Sequence, residues 1–165
     1  MENMWSPWRS QYIESMNNSK TASSCIFCNA VDQDIKDNNS LLVAMGKFTL
    51  TVLNLYPYNN GHLMVVPKRH LDSFEKLSGE ERIEIMDNLD LASRALTRVL
   101  KPEGFNIGAN IGKVSGAGIA DHIHFHIVPR WNGDTNFMPV LGEVKVVSQD
   151  LLATKAALIK AFTDI

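Results

Sequence analysis

Three histidines at every second position, His122-Ile-His124-Phe-His126, and a cysteine pair, Cys25-Ile-Phe-Cys28, are the residues of this chain best suited to chemistry. The flanks of the histidine run are rich in Ile, Phe and Val and read as β-strand. A strand sends alternate side chains to opposite faces, so the three imidazoles share one face while Ile123, Phe125 and Ile127 share the other. The chain has only five histidines. A face that collects three of them can bind a metal or present a nucleophile to an electrophile such as phosphorus. Cys-x₂-Cys is the spacing of half a tetrahedral zinc site. The histidines best placed to complete it are His70, just after a strand, and His122. Cys28 and His70 are 42 residues apart, so a sequence-local zinc finger is excluded and any zinc would staple distant segments. A plain pair of small buried cysteines is the alternative reading. A thioredoxin-like redox motif is disfavoured because no strand leads into a helix here. A catalytic metal on all three histidines would leave the cysteine pair and the Gly-rich loop described below without a role.

The elements that must position these residues are few. Leu41–Met45, Phe48–Leu55 and His62–Val66 read as strands, with turn signals at Gly46 and at Pro57-Tyr-Asn-Asn-Gly61. Ser78-Gly-Glu-Glu81 has the form of a capping box opening a helix that runs to about Leu100 and stops before Pro102 and Gly104. Ile85, Leu89, Ala92 and Leu96 fall at helical spacing and are expected to pack on a sheet. Strands near Phe105–Asn110 and His122–Pro129 follow, joined by Gly112-Lys-Val-Ser-Gly-Ala-Gly118, whose glycines let backbone N–H groups approach a phosphate. The order of a P-loop is absent. A short strand at Glu143–Val147 and a helix from Gln149 to Phe162 complete an α+β pattern in one domain, residues 1–165, with an irregular arm at 1–24.

Composition sets limits on function. With 165 residues, 45% of them hydrophobic, the chain can bury a sizeable core. A net charge of −2 and a pI near 6.2 show no footprint for a nucleic-acid polymer. No apolar run approaches the ~20 residues that span a membrane, and the start does not read as a signal peptide, so a cytoplasmic location is expected. In a reducing compartment the cysteine pair favours metal binding over a disulfide.

His122-Ile-His-Phe-His-Ile-Val128 resembles the motif of the histidine-triad (HIT) superfamily. Asn54-Leu-Tyr-Pro-Tyr-Asn-Asn-Gly-His62 through His70 is similar to the first half of that family, and Cys25-Ile-Phe-Cys28 to the zinc-binding start of many bacterial members. Trp5-Ser-Pro-Trp8-Arg9 and the stretch Pro129–Pro139 resemble the branch that includes diadenosine tetraphosphate phosphorylases. Together these motifs span roughly residues 1–147.

The resemblance implies a HIT-like fold, an antiparallel sheet of about five strands with a long helix packed on it and a C-terminal helix. It implies a nucleotide hydrolase or nucleotidyltransferase that attacks the α-phosphate of dinucleoside polyphosphates through a nucleotidyl-histidine. The alternatives are a nucleoside phosphoramidate hydrolase and a nucleotide-binding module without turnover. On this resemblance His124 is the nucleophile. Cys25, Cys28, His70 and His122 bind a structural zinc, and His126 donates to the phosphate. Asn54 holds the ribose and Leu55 the base, while His62, Asn110, Ser115 and Gly116 line the phosphate site. A homodimer is implied as well. One position departs from the family pattern: Gly118 stands where many members carry a glutamine near the leaving group.

Overall fold

In the computed structural model, which describes residues 25–135 and 149–165, the strands are β1 Leu42–Met45, β2 Thr49–Leu53, β3 Leu63–Pro67, β4 Gly104–Gly108 and β5 Phe125–Arg130. The helices are α1 Ile26–Ala30, α2 Gly79–Leu100 and α3 Leu151–Thr163. All five strands form one antiparallel sheet in the order β1-β2-β3-β5-β4, as the α+β expectation required. The N-terminal arm and the strand expected at Glu143–Val147 lie outside the described residues.

The long helix α2 begins where its sequence signal places it. Ser78 Oγ accepts from the Glu81 N–H at 3.2 Å and Glu81 Oε2 accepts from the Ser78 N–H at 2.8 Å, so two otherwise orphaned donors are satisfied reciprocally. Lys101, in the left-handed region at φ 50°, ends the helix. The buried stripe Ile85, Leu89, Ala92, Ala95 and Leu96 meets Leu63 and Val65 of β3 and Ile123, Phe125 and Ile127 of the histidine segment in one core. A second core holds Cys25, Phe27 and Ala30 around α1 with Leu50, Val52, Met64 and Val66. These strand residues alternate with those of the first core, so α1 covers the sheet face opposite α2. A carboxylate clamps α2 to the β1–β2 turn. Glu84 Oε1 accepts from the N–H groups of Phe48 and Thr49, each at 2.9 Å, and from Thr49 Oγ1 at 2.8 Å. α3, capped by Asp150, lies against α2 and β1.

One expectation needs correction. Ladder pairing of the last strand begins at Phe125, so His122 and His124 stand on an extended lead-in instead of inside the strand. Pro67 of β3, which the register sets opposite Ile123, has no N–H to donate, and the lead-in is tied instead by the Ile123 N–H to Leu71 O at 2.6 Å. Alternation survives without the ladder: Ile123, Phe125 and Ile127 enter the α2 core, and the histidines face the other way. The short helix α1 was not anticipated in the sequence. Five residues with no side-chain cap give no helical period to read.

Candidate active site and metal centre

The ring contacts of the histidines fix which nitrogen of each carries the proton. His124 Nδ1 is 2.8 Å from the carbonyl of His122, an acceptor only, so Nδ1 bears the proton and Nε2 keeps its lone pair. His62 Nδ1 accepts from the Tyr58 N–H at 3.0 Å, so it is the unprotonated nitrogen, and Nε2 donates to His126 Nδ1 at 2.9 Å. His126 must then hold its own proton on Nε2, a buried atom with no partner among the described residues. The outcome is a pair: a nucleophilic nitrogen on His124 beside an N–H donor on His126, with ring centroids 4.8 Å apart. Burial holds His124 below the usual imidazole range. Burial and the neighbouring His124 lower His126 to about 4. Both rings are neutral at pH 7, the state that this pairing needs.

His62 is fully buried with both ring nitrogens engaged. Expected to line the phosphate site, it is joined to that site through its bond to His126. Asn54 has Oδ1 on the Tyr56 N–H at 2.9 Å and Nδ2 on His62 Nδ1 at 3.2 Å, which leaves one lone pair and one N–H for a ligand. Leu55 beside it is exposed. Asn110, Ser115 and Gly116 belong to the β4–β5 segment. Ser115 Oγ donates to Gly112 O at 2.7 Å, and no hydrogen bond among the described residues joins Asn110 or Ser115 to the histidines. Gly112 and Gly116 take φ of 77° and 86°, left-handed conformations for which glycine is suited.

Sequence reasoning passed over two side chains. Phe27 packs edge-on against His122 and tilted against His124, at centroid distances of 5.4 and 5.0 Å. Tyr58 lies 4.7 Å from His62 and 5.8 Å from His126, ring to ring. The only signals were their places, inside the cysteine pair and inside the Asn54–His62 turn.

Cys25, Cys28, His70 and His122 come together from four points in the chain, with one donor atom of each lying within 4.8 Å of the others. Cys25 Sγ and Cys28 Sγ stand 3.3 and 3.7 Å from His122 Nδ1, and Cys28 Sγ is 3.3 Å from His70 Nδ1. Tetrahedral zinc with bonds of about 2.3 Å to sulfur and about 2.05 Å to nitrogen sets sulfur–nitrogen edges of about 3.5 Å, so this donor set fits the ion. His122 Nε2 donates to Pro67 O at 2.8 Å, which leaves Nδ1 unprotonated and aimed at the sulfurs. Burial pushes the Cys28 thiol up to about 11, helped by Cys25, and lowers His122 to about 4. Binding a metal would therefore release thiol protons without having to strip one from His122. Arg69, next to His70, donates to Glu81 at 2.7 and 2.6 Å and ties this ligand to the start of α2.

A match to the HIT domain family covers residues 36–133. This chain belongs to the HIT family. It is 40% identical over 162 residues to AP-4-A phosphorylase of Mycobacterium tuberculosis, covering 96% of this chain and 83% of the relative. It is 33% identical over 109 residues to adenosine 5'-monophosphoramidase hnt1 of Schizosaccharomyces pombe, covering 66% of this chain and 76% of that one. Among solved structures, a Zn-bound histidine triad family protein from Mycobacterium smegmatis superposes with a TM-score of 0.68 at 25% identity. The superposition covers 87% of this chain and 96% of that chain.

Proposed function

We propose that this HIT-family enzyme cleaves dinucleoside polyphosphates of the diadenosine tetraphosphate class at the α-phosphorus, through a nucleotidyl-histidine on His124. The observation that carries the reading is the pairing of an unprotonated Nε2 on His124 with the Nε2–H of His126, which has no partner among the described residues. His124 Nε2 attacks the α-phosphorus, forming an N–P bond as the bond to the leaving nucleoside polyphosphate breaks. His126 donates to a non-bridging oxygen whose charge grows in the transition state. An acceptor then attacks phosphorus, the N–P bond breaks, and His124 returns to its starting state. Asn54 binds the ribose, Leu55 packs on the base, and Asn110 with the Ser115–Gly116 backbone lines the phosphates. Cys25, Cys28, His70 and His122 hold zinc, which supplies a cross-link that steadies the lead-in carrying His124.

The 40% identity to an AP-4-A phosphorylase over nearly the whole chain supports inorganic phosphate as acceptor. Diadenosine tetraphosphate and phosphate then give ADP and ATP. The test is turnover with and without phosphate, read by chromatography. ADP and ATP formed only with phosphate is expected; AMP and ATP without it would make water the acceptor. Absence of both products, and of an acid-labile adduct on His124, would sink the reading. Identity to a monophosphoramidase supports a second reading, hydrolysis of adenosine 5'-phosphoramidate, tested in the same assay.

We further propose that residues 1–165 form one domain that works as a homodimer in the cytoplasm. Among the described residues β4 is a sheet edge, and Ile107 on it and Met86 on α2 are exposed beside an apolar groove of about 450 Å³. A second copy is the occupant this face suits, and a monomer mass in sedimentation would contradict it. Among the described residues no helix is long and apolar enough to cross a membrane.

A further inference from the structure

Beyond the histidines, one buried carboxylate gathers an unusual number of donors. Asp134 lies after β5, and its side chain is 7% exposed. It accepts from Arg130 Nε and Nη2 at 2.6 and 2.8 Å, from the Trp131 N–H at 3.1 Å and from Asn59 Nδ2 at 2.8 Å. Arg130 is the largest cause holding this carboxyl at about 2, so it is ionised at neutral pH. The Arg130 bonds are local, made within one turn of the chain. The bond to Asn59 is not: it spans 75 residues and lands on the loop between β2 and β3.

Asn59 has no spare donor. Its second Nδ2 hydrogen goes to Pro129 O at 3.1 Å, and its Oδ1 accepts from the Asn60 N–H at 3.1 Å. Its own carbonyl accepts from the His62 N–H at 3.2 Å. The loop is also pressed from below. Gly61 sits at φ 74°, and a Cβ there would run into the side chain of Leu100. The backbone from Tyr58 to His62 is thus held on both sides. Within it is the Tyr58 N–H, which together with Asn54 Nδ2 donates to His62 Nδ1 and so sets the His62 tautomer and, through His62, that of His126.

We propose that Asp134 and Asn59 act as positioning residues: the Asp134–Asn59 hydrogen bond fixes the Tyr58–His62 turn, so that the Tyr58 N–H stays beside Asn54 Nδ2 as a donor to His62, which is thereby held unprotonated at Nδ1 with His126 protonated at Nε2, facing the substrate. The value of this device for catalysis rests on the reading of His126 as the phosphate donor; the positioning itself does not. Asparagine at position 134 presents an amide to donors on every side and cannot accept from all of them. Alanine at position 59 deletes the link and leaves the Asp134–Arg130 pair in place.

The test uses the full-length protein carrying Asp134→Asn or Asn59→Ala, with Glu84→Ala as a control for loss of stability away from the site. Imidazole ¹⁵N spectra without substrate separate protonated from unprotonated ring nitrogens. In the parent, His62 and His126 are expected to be single tautomers protonated at Nε2. In both variants the two rings are expected to show mixed tautomers, while Glu84→Ala keeps the parent pattern. Turnover is expected to fall on the order of 10²-fold in kcat, the cost of a shift of about 1 Å at a positioned group, with KM little changed. Asn59→Ala carries the test if Asp134→Asn does not fold. Parent-like tautomers in a folded variant, or the same mixing in Glu84→Ala, would overturn the proposal. Mixed tautomers with undiminished turnover would keep the positioning and remove the role given to His126.

Discussion

Stripping the metal from the Cys25, Cys28, His70, His122 centre is expected to cost the protein a large part of its thermal stability and only a small part of its activity. The centre links Cys28 to His70 across 42 residues and Cys25 to His122 across 97. Treated as a cross-link that restricts the unfolded chain, a 42-residue loop contributes about 4 kcal/mol and a 97-residue loop about 4.7 kcal/mol. The two loops share chain and do not sum in full, so the smaller value serves as a lower figure. For a domain of this size each kcal/mol moves Tm by about 2–4 °C, so the shift is about 8–16 °C. Nothing offsets this loss in the metal-free state. Burial keeps the Cys28 thiol neutral there, so no thiolate repulsion is created or relieved. The nucleophile is held by bonds that do not involve the metal: His124 Nδ1 to His122 O at 2.8 Å and the Ile123 N–H to Leu71 O at 2.6 Å. Calorimetry on zinc-loaded and chelator-treated protein, with metal content measured on both, gives the answer. Complete zinc loss with a Tm change below about 2 °C would refute the clamp. Failure of the parent to take up zinc while Cys25→Ser melts identically would refute the site.

Three further outcomes follow from the same geometry. Deleting the phosphate donor with His126→Ala should lower kcat by about 10²–10³-fold, the cost of removing one preorganised donor, while the circular dichroism spectrum stays that of the parent. Burial holds the His124 pKa below 6.5, and attack needs the unprotonated ring, so the acid limb of kcat/KM should have its midpoint below 6.5. His126, lowered to about 4, adds a stability term with a definite sign. The unfolded chain binds more protons between pH 6.5 and 4, so that term is complete above 6.5 and is lost as pH falls; a Tm that rises on acidification from 7 to 5 would contradict it. Glu84→Ala leaves the Phe48 and Thr49 N–H groups without their acceptor, and denaturant unfolding should show a loss of about 1–3 kcal/mol at unchanged kcat.

Much of the fold could be read from local patterns. Ser78 and Glu81 mark the start of α2 because a capping box is built from residues three apart. Period-two apolar runs mark the strands, since burial of one face selects alternate positions. α1 escaped because five residues hold too little periodicity, and the start of β5 was placed three residues early because Pro67, which the register sets opposite Ile123, has no N–H to give the ladder and the Ile123 N–H turns to Leu71.

The chemistry divides along the same line. The sequence by itself determined that three imidazoles point one way and that two cysteines sit at ligand spacing, since both follow from the geometry of a few adjacent residues. It also carried the likeness that made Cys25, Cys28, His70 and His122 one set. Only the tertiary structure decided which ring nitrogen of each histidine keeps a proton. For His62, His122 and His124 that choice is made by the Asn54 amide and by the Tyr58 N–H and the carbonyls of Pro67 and His122, backbone groups that every sequence possesses and only a folded chain aims. It also joined His62 to His126 and brought Asn59 to Asp134 across 75 residues. Side-chain type is local information, whereas a proton's position on a ring is decided by whatever the fold brings to within 3 Å of it.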